Sequence, residues 1–165
     1  MDEAAAPGGE AGPARIEGGF YHLTRTPLEP ALGRLLLRIL EAGRRVIVRA
    51  SSNERVEALN RALWTFDPAS FLPHGSAADG DAELQPVYLT MGEERPNGAD
   101  VLVLVDGAEA DPAPPFERCL YLFDGRDPEA VRAARAVWKR WRERGLKLVY
   151  WQQGERGWQR AMATE

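Results

Sequence analysis

The feature that most limits what this chain can fold into is a set of short apolar runs with no polar face. "RRVIVRA" (44–50), "ADVLVLVDG" (99–107) and "ERCLYLFDG" (117–125) carry β-branched, Leu and aromatic residues at consecutive positions. A strand with one wet face alternates polar and apolar residues, whereas these runs need cover on both faces. "PVYLTMG" (86–92) is strand-like in the same way, and Asp, Gly and Pro mark the loops between the runs.

The cover is supplied by amphipathic segments. "LEPALGRLLLRILEAG" sets Leu32, Leu35, Leu36, Ile39 and Leu40 at helical spacing and stops at Gly43, a residue suited to a left-handed cap. After the 44–50 strand, Ser51 followed by Glu54 predicts a capping-box start, and Val56, Leu59, Leu63 and Phe66 form one inward stripe. "DPEAVRAARAVWKRWRERG" predicts a third helix with Asp127 as N-cap, Pro128 in the first turn and Gly145 as stop. "RIEGGFYHLTR" (15–25) reads as a first strand with a bend or bulge at its glycines, and "LKLVYWQQG" as a last one. Residues 155–165 read as a tail or a final helical turn. Residues 1–14, small, polar and rich in Gly and Pro, read as a flexible tail preceding a single domain over 15–165. The order β-α-β-α-β-β-β-α-β predicts a Rossmann-like α/β three-layer sandwich, a mostly parallel sheet with helices on both faces. The short central connections leave room for an antiparallel pairing.

Several function classes fall away. No apolar run reaches the roughly 18–20 residues of a membrane span and no signal peptide is evident, so a soluble, cytoplasmic protein is expected. Cys119 has no partner for an internal disulfide, and with only His22 and His74 beside it there is no zinc-ligand spacing; neither metal nor cofactor is expected. Neither a G-x-G-x-x-G turn nor a phosphate-binding loop follows any strand. Asp106 and Asp124, each before a Gly at a strand end, can hold magnesium or a ribose in a nucleotide-binding enzyme, or simply begin turns. His74 sits between Pro73 and Gly75 without a nucleophile at an informative spacing, and the serines lack a nucleophile elbow.

Two segments carry functional signal. The chain is acidic overall, with net charge −4, yet Arg126 to Lys147 holds eight basic residues against three acidic ones. On the third helix Ala130, Ala134, Val137 and Trp141 form the inward stripe, while Arg132, Arg135, Lys139 and Arg142 lie on another face. Trp138 lies about 60° from both Arg135 and Trp141, at the border. Composition leaves three readings open: a solvated basic face, a non-specific nucleic-acid contact, or a pocket for an acidic peptide. The second segment, "LWTFDPASFLPHG" (63–75), crowds aromatic residues around an Asp-Pro turn at a helix exit. Phe71 and Leu72 either stand out as a docking point or fold back over the helix.

Four stretches, "FYHL", "GRRVIVRA", "LWTFDPASFLPHG" and "VWKRWRERGLKLVYW", run in the order found in the chi subunit of bacterial DNA polymerase III holoenzyme, and the chain resembles that family over nearly everything after residue 15. The N-terminal extension and residues 76–118 depart from it. The resemblance implies a Rossmann-like, non-catalytic adaptor in the clamp-loader assembly, monomeric by itself, without sequence-specific DNA recognition. It implies a pocket for the acidic, Phe-terminated C-terminal tail of single-stranded DNA-binding protein, matched here by Arg135 and Trp138, with Trp64 beside it and Tyr150 in the following strand. Trp138 and Trp64 are expected to bracket the terminal aromatic. A lysine of that pocket falls on Val131, and neighbouring Arg132 is the candidate replacement. The resemblance further implies that Ser70, Phe71, Leu72, Pro73 and His74 dock a second protein, the psi subunit or an iron-sulfur helicase.

Overall fold

The computed structural model describes residues 15–164; the stretch expected to be a flexible tail, 1–14, lies outside the described residues. The elements are β1 (Glu17–Leu23), α1 (Leu28–Glu41), β2 (Val46–Arg49), α2 (Asn53–Thr65), β3 (Gly75–Ser76), β4 (Val87–Thr90), β5 (Val101–Leu104), β6 (Arg118–Asp124), α3 (Pro128–Glu143), β7 (Lys147–Gly154) and β8 (Gly157–Ala163). All eight strands belong to one sheet in the order β3-β4-β2-β5-β6-β1-β7-β8. Every neighbouring pair is parallel except β7 with β8.

Strand alternation sorts the core into two layers. Val46 and Val48 of β2 face α1 and α2, packing with Leu32, Leu36, Leu59 and Leu63. Ile47, between them, faces α3 and packs with Phe20, Val137 and Trp141. This two-sided burial is what the unalternated runs demand. Phe20 and Trp141, both 0% exposed, meet edge to face at 5.2 Å under α3. Full burial of such a side chain stabilises by roughly 1.5–3 kcal/mol.

The helix limits follow their local chemistry. Gly43 and Gly145 take positive φ, 81° and 90°, just past α1 and α3. The Asp127 side chain accepts from Glu129 N at 3.0 Å at the start of α3. At α2 the cap is Ser52 rather than Ser51, its Oγ accepting from Arg55 N at 3.2 Å.

The pairing of the central strands, which the sequence leaves open, is parallel: β4 and β5 are not neighbours but pair with β2 on either side, and β5 pairs with β6, so both connections cross over without an α-helix. Two expectations are corrected. The C-terminal stretch is neither tail nor helix but β8, an antiparallel partner of β7 reached through a turn at Glu155 and Arg156, after which Gly157 takes φ 115°. Its residues are mostly exposed, so apolar periodicity carried little signal there. The irregularity expected at Gly18 and Gly19 lies instead between Tyr150 and Trp151. The glycines sit in regular register, and a Cβ on Gly18 would come within 2.5 Å of the Leu148 side chain, next to Trp141. Close packing of the sheet on α3 requires the absence of a side chain there. Among the described residues no helix is long and apolar enough to cross a membrane.

Candidate functional site

The basic face of α3 is divided by its surroundings. Arg140 pairs with Glu109 at 3.8 Å and Asp111 at 3.4 Å, and Arg144 reaches Asp111 at 3.2 Å and donates to the Pro112 carbonyl at 3.2 Å. These two hold the 109–112 loop against the helix, as does Trp141, whose Nε1 donates to the Ala110 carbonyl. Among the described residues Arg132 makes only a long, exposed contact of 3.8 Å with Glu129, which contributes little. Arg135 is exposed and, among the described residues, has no ion-pair partner.

Arg135, Trp138 and Tyr150 come together. Trp138 is half-buried, its ring set edgewise on Phe20 at 5.2 Å and on Tyr150 at 5.8 Å. Burial pushes the Tyr150 phenol above its ordinary pKa, and the positive charge of Arg135 opposes that shift, which places the guanidinium within electrostatic reach of the ring. The Tyr150 hydroxyl shares a 2.8 Å hydrogen bond with His22 Nδ1, and Phe123 lies 5.0 Å from the imidazole and 6.1 Å from the phenol. The result is an aromatic floor of Trp138, Tyr150, His22 and Phe123 beside exposed guanidinium groups. Such a floor accepts an apolar ring while the rim pairs with carboxylates. Val131 is half-buried against the same core layer and puts no charge on this rim.

Sequence reasoning missed His22 and Phe123. The signal was present in "FYHL": His22 falls two residues after Phe20 on the strand and so shares its face, but only the pairing of β1 with both β6 and β7 brings Phe123 and Tyr150 to it.

Trp64 does not belong to this group. It projects from the end of α2, the helix on the opposite face of the sheet, and cannot bracket a ligand with Trp138. Instead it lies against His74, with ring centroids 4.2 Å apart and planes tilted by 39°, and leans toward Phe71 at 6.1 Å. The expectation erred because helical geometry gives the angle of Trp64 on α2 but not the sheet face on which α2 lies.

Around Trp64 the docking segment splits into presented and anchoring residues. Phe71 is 71% exposed and Trp64 52%, whereas Leu72 and His74 are interior at 2% and 4%. Leu72 joins the core beneath α2. Both ring nitrogens of His74 face main-chain carbonyls, of Leu72 at 2.7 Å and Asn60 at 2.9 Å, tying the loop to α2. Ser70 and Pro73 are partly buried. Asp67 closes the turn by accepting from Ala69 N at 2.9 Å and Ser70 Oγ at 3.0 Å, and these bonds lower its carboxyl pKa, as the weaker pull of Arg34 also does. Asp79 pins the far end, accepting from Ser76 N at 2.9 Å and Asn60 Nδ2 at 2.7 Å, which lowers its pKa likewise. Phe66 turns inward, its ring lying where a Cβ on Gly33 of α1 would be, 2.6 Å away. The helix exit thus divides its aromatic residues, Phe66 into the core and Trp64 with Phe71 onto the surface.

The strand-end aspartates are engaged elsewhere. Asp106 accepts from Arg55 Nε at 2.8 Å and Nη2 at 3.3 Å, and Asp124 accepts from Arg126 N at 2.9 Å and Nε at 3.1 Å. Both border a cavity of about 530 Å³ at the carboxyl ends of β1 and β6, whose following helices leave to opposite faces, the place where α/β sheets commonly bind nucleotides. Its charged groups bind one another: Glu29 also reaches Arg55, at 3.6 Å. Among the described residues no cluster of three or more His, Cys, Asp or Glu could hold a metal ion. The Cys119 thiol is buried, and burial raises its pKa, so it is not an activated nucleophile.

The sequence model of the family described as "DNA polymerase III chi subunit, HolC" matches residues 17–149. The chain is 31% identical over 115 residues to the DNA polymerase III subunit chi of Pseudomonas aeruginosa, covering 70% of this chain and 79% of that protein. It is 27% identical over 108 residues to the subunit of the same name from Escherichia coli, covering 65% and 73%. To a probable DNA polymerase III subunit chi of Rickettsia prowazekii it is 32% identical over 86 residues, and there the match spans about half of each protein, 52%.

Proposed function

The chain belongs to the DNA polymerase III chi subunit family, and from that premise we propose that it is a non-catalytic adaptor in DNA replication with two separate docking surfaces. The α3 face receives the acidic C-terminal tail of single-stranded DNA-binding protein. Arg135, with Arg132 at the rim, pairs with carboxylates of the tail, and its terminal Phe lies on Trp138 and Tyr150. The observation that carries this reading is that exposed Arg135, without an acidic partner among the described residues, stands beside a half-buried indole and a phenol. A guanidinium so placed keeps its donors for a ligand.

The second surface is Trp64 with Phe71, and it holds the psi subunit or an iron-sulfur helicase. Two large rings, Trp64 at the end of α2 and Phe71 on a loop fixed by Asp67, His74 and Asp79, lose little entropy on binding, which suits a hot spot. Leu72 and His74, named with Phe71 from the sequence, act here by holding that loop. A single sheet running through all the elements supports reading residues 15–165 as one domain.

The test is a fluorescence titration of the full chain with a labelled acidic peptide ending in Pro-Phe, compared with the peptide lacking its last residue. Binding that needs the terminal Phe, weakens with salt and is lost in Arg135→Glu is the expected result. Binding unchanged by Arg135→Glu would reject the α3 assignment.

A further inference from the structure

Arg49 is the last residue of β2 and points to the α3 side of the sheet, yet α3 does not cover it. It is 9% exposed, in a class of side chain that is almost never so buried unless paired. Among the described residues no carboxylate forms an ion pair with it, and its Nε is fully enclosed with no hydrogen-bond partner. The nearby acids are otherwise engaged. Glu94, which feels the charge of Arg49, accepts from Thr90 Oγ1 at 2.7 Å and Tyr88 OH at 3.2 Å. Asp111 is held by Arg140 and Arg144, and Glu93 is exposed.

What Arg49 does face is a cavity of about 390 Å³, bordered by Arg49, Arg95, Leu102, Phe116 and the prolines of the 112–115 segment, with Glu93 and Asp111 also on its lining. Arg95 donates to the Ala99 carbonyl at 2.8 Å, which fixes a second guanidinium on the same wall. The volume lies in the range of small-ligand sites. A nearly buried guanidinium with no ion pair among the described residues, bordering a cavity lined by Leu, Phe and Pro side chains, matches a ligand with an anionic head and an apolar body.

We propose that this cavity, between β2 and the 105–117 connection, binds a small organic anion, a carboxylate or phosphate on an apolar body, through Arg49. The site is separate from both docking surfaces and stands whether or not their assignments hold. Benzoate and phenyl phosphate are suitable probes of the two possible heads, added to the full chain at constant ionic strength while the Arg49 Nε–H resonance is followed by NMR. A saturable shift of that resonance with either probe is expected, and the probe that produces it identifies the head. In Arg49→Met, which keeps the side-chain volume, affinity for that probe falls about tenfold or more. No saturable shift with either probe would overturn the proposal, as would equal binding by a folded Arg49→Met protein. If that variant does not fold, the wild-type resonance decides alone, because only a ligand in this cavity shifts it saturably while the resonances of arginines outside the cavity stay fixed.

Discussion

The two faces of the sheet present their aromatic residues in opposite ways. Beneath α3, Trp138 and Tyr150 lie half-sunk in the core layer with cations at the rim, whereas at the end of α2, Trp64 and Phe71 stand above a polar lattice of Asp67, His74, Asn60 and Asp79. A sunken ring beside a guanidinium offers a shallow slot for a charged chain end. A raised ring offers apolar area to another protein surface. The difference teaches that exposure of an aromatic residue is not enough to assign its role, and that the groups surrounding the ring have to be read with it.

The comparison can be broken first at the core. Trp141→Ala removes the indole that supports the α3 face and should lower unfolding stability by about 3–5 kcal/mol in denaturant melts. Trp64→Ala, by contrast, should change stability by less than about 0.5 kcal/mol, as expected of a surface side chain. Equal losses would mean that Trp64 is structural. Next in size, Phe71→Ala should weaken capture of the second partner by about 2 kcal/mol or more while leaving peptide affinity unchanged. Arg135→Glu should do the reverse, costing peptide affinity about 1.5–3 kcal/mol and removing much of its salt dependence, which a titration at two ionic strengths reads. Loss of both activities in either variant would show that the surfaces are one. Val131→Lys sharpens the contrast by restoring a cation to the α3 rim, and should tighten peptide binding by a few tenths of a kcal/mol up to about 1 kcal/mol.

The smallest effect is the pH dependence of the raised patch. The Asp79 carboxyl is held below its ordinary value, first by Ser76 N–H and then by Asn60, so its stabilisation is complete above the unfolded aspartate value and is lost as pH falls through the folded one. Melting temperature should therefore decline in the acid range, and Asp79→Asn should flatten part of that decline. An unchanged slope would remove Asp79 from the account of loop rigidity.

Much of the architecture could be read from the chain because burial leaves a periodic mark. The apolar runs at 44–50 and 117–125 announced strands covered on both sides, and the stripe Ala134, Val137 and Trp141 announced the inward face of α3. The candidate surfaces could be read where their residues lie close in sequence: Arg135 and Trp138 share a helix border, and Phe71 sits beside a Pro-rigidified turn. His22 and Phe123 left no such mark, since an aromatic cluster assembled across three strands has no spacing in the chain. The same holds for β8, whose exposed residues lack the alternation that reveals a strand.

Local sequence by itself thus determined the helices, the buried strands, the helix stops and the concentration of positive charge near residue 135, because each depends on backbone preference or on periodic burial. Tertiary structure alone decided which face of the sheet each helix occupies, and so parted Trp64 from Trp138. It also left the guanidinium of Arg49 enclosed beside an empty volume, since pairing between distant charges is settled only when separate strands and loops are brought into register.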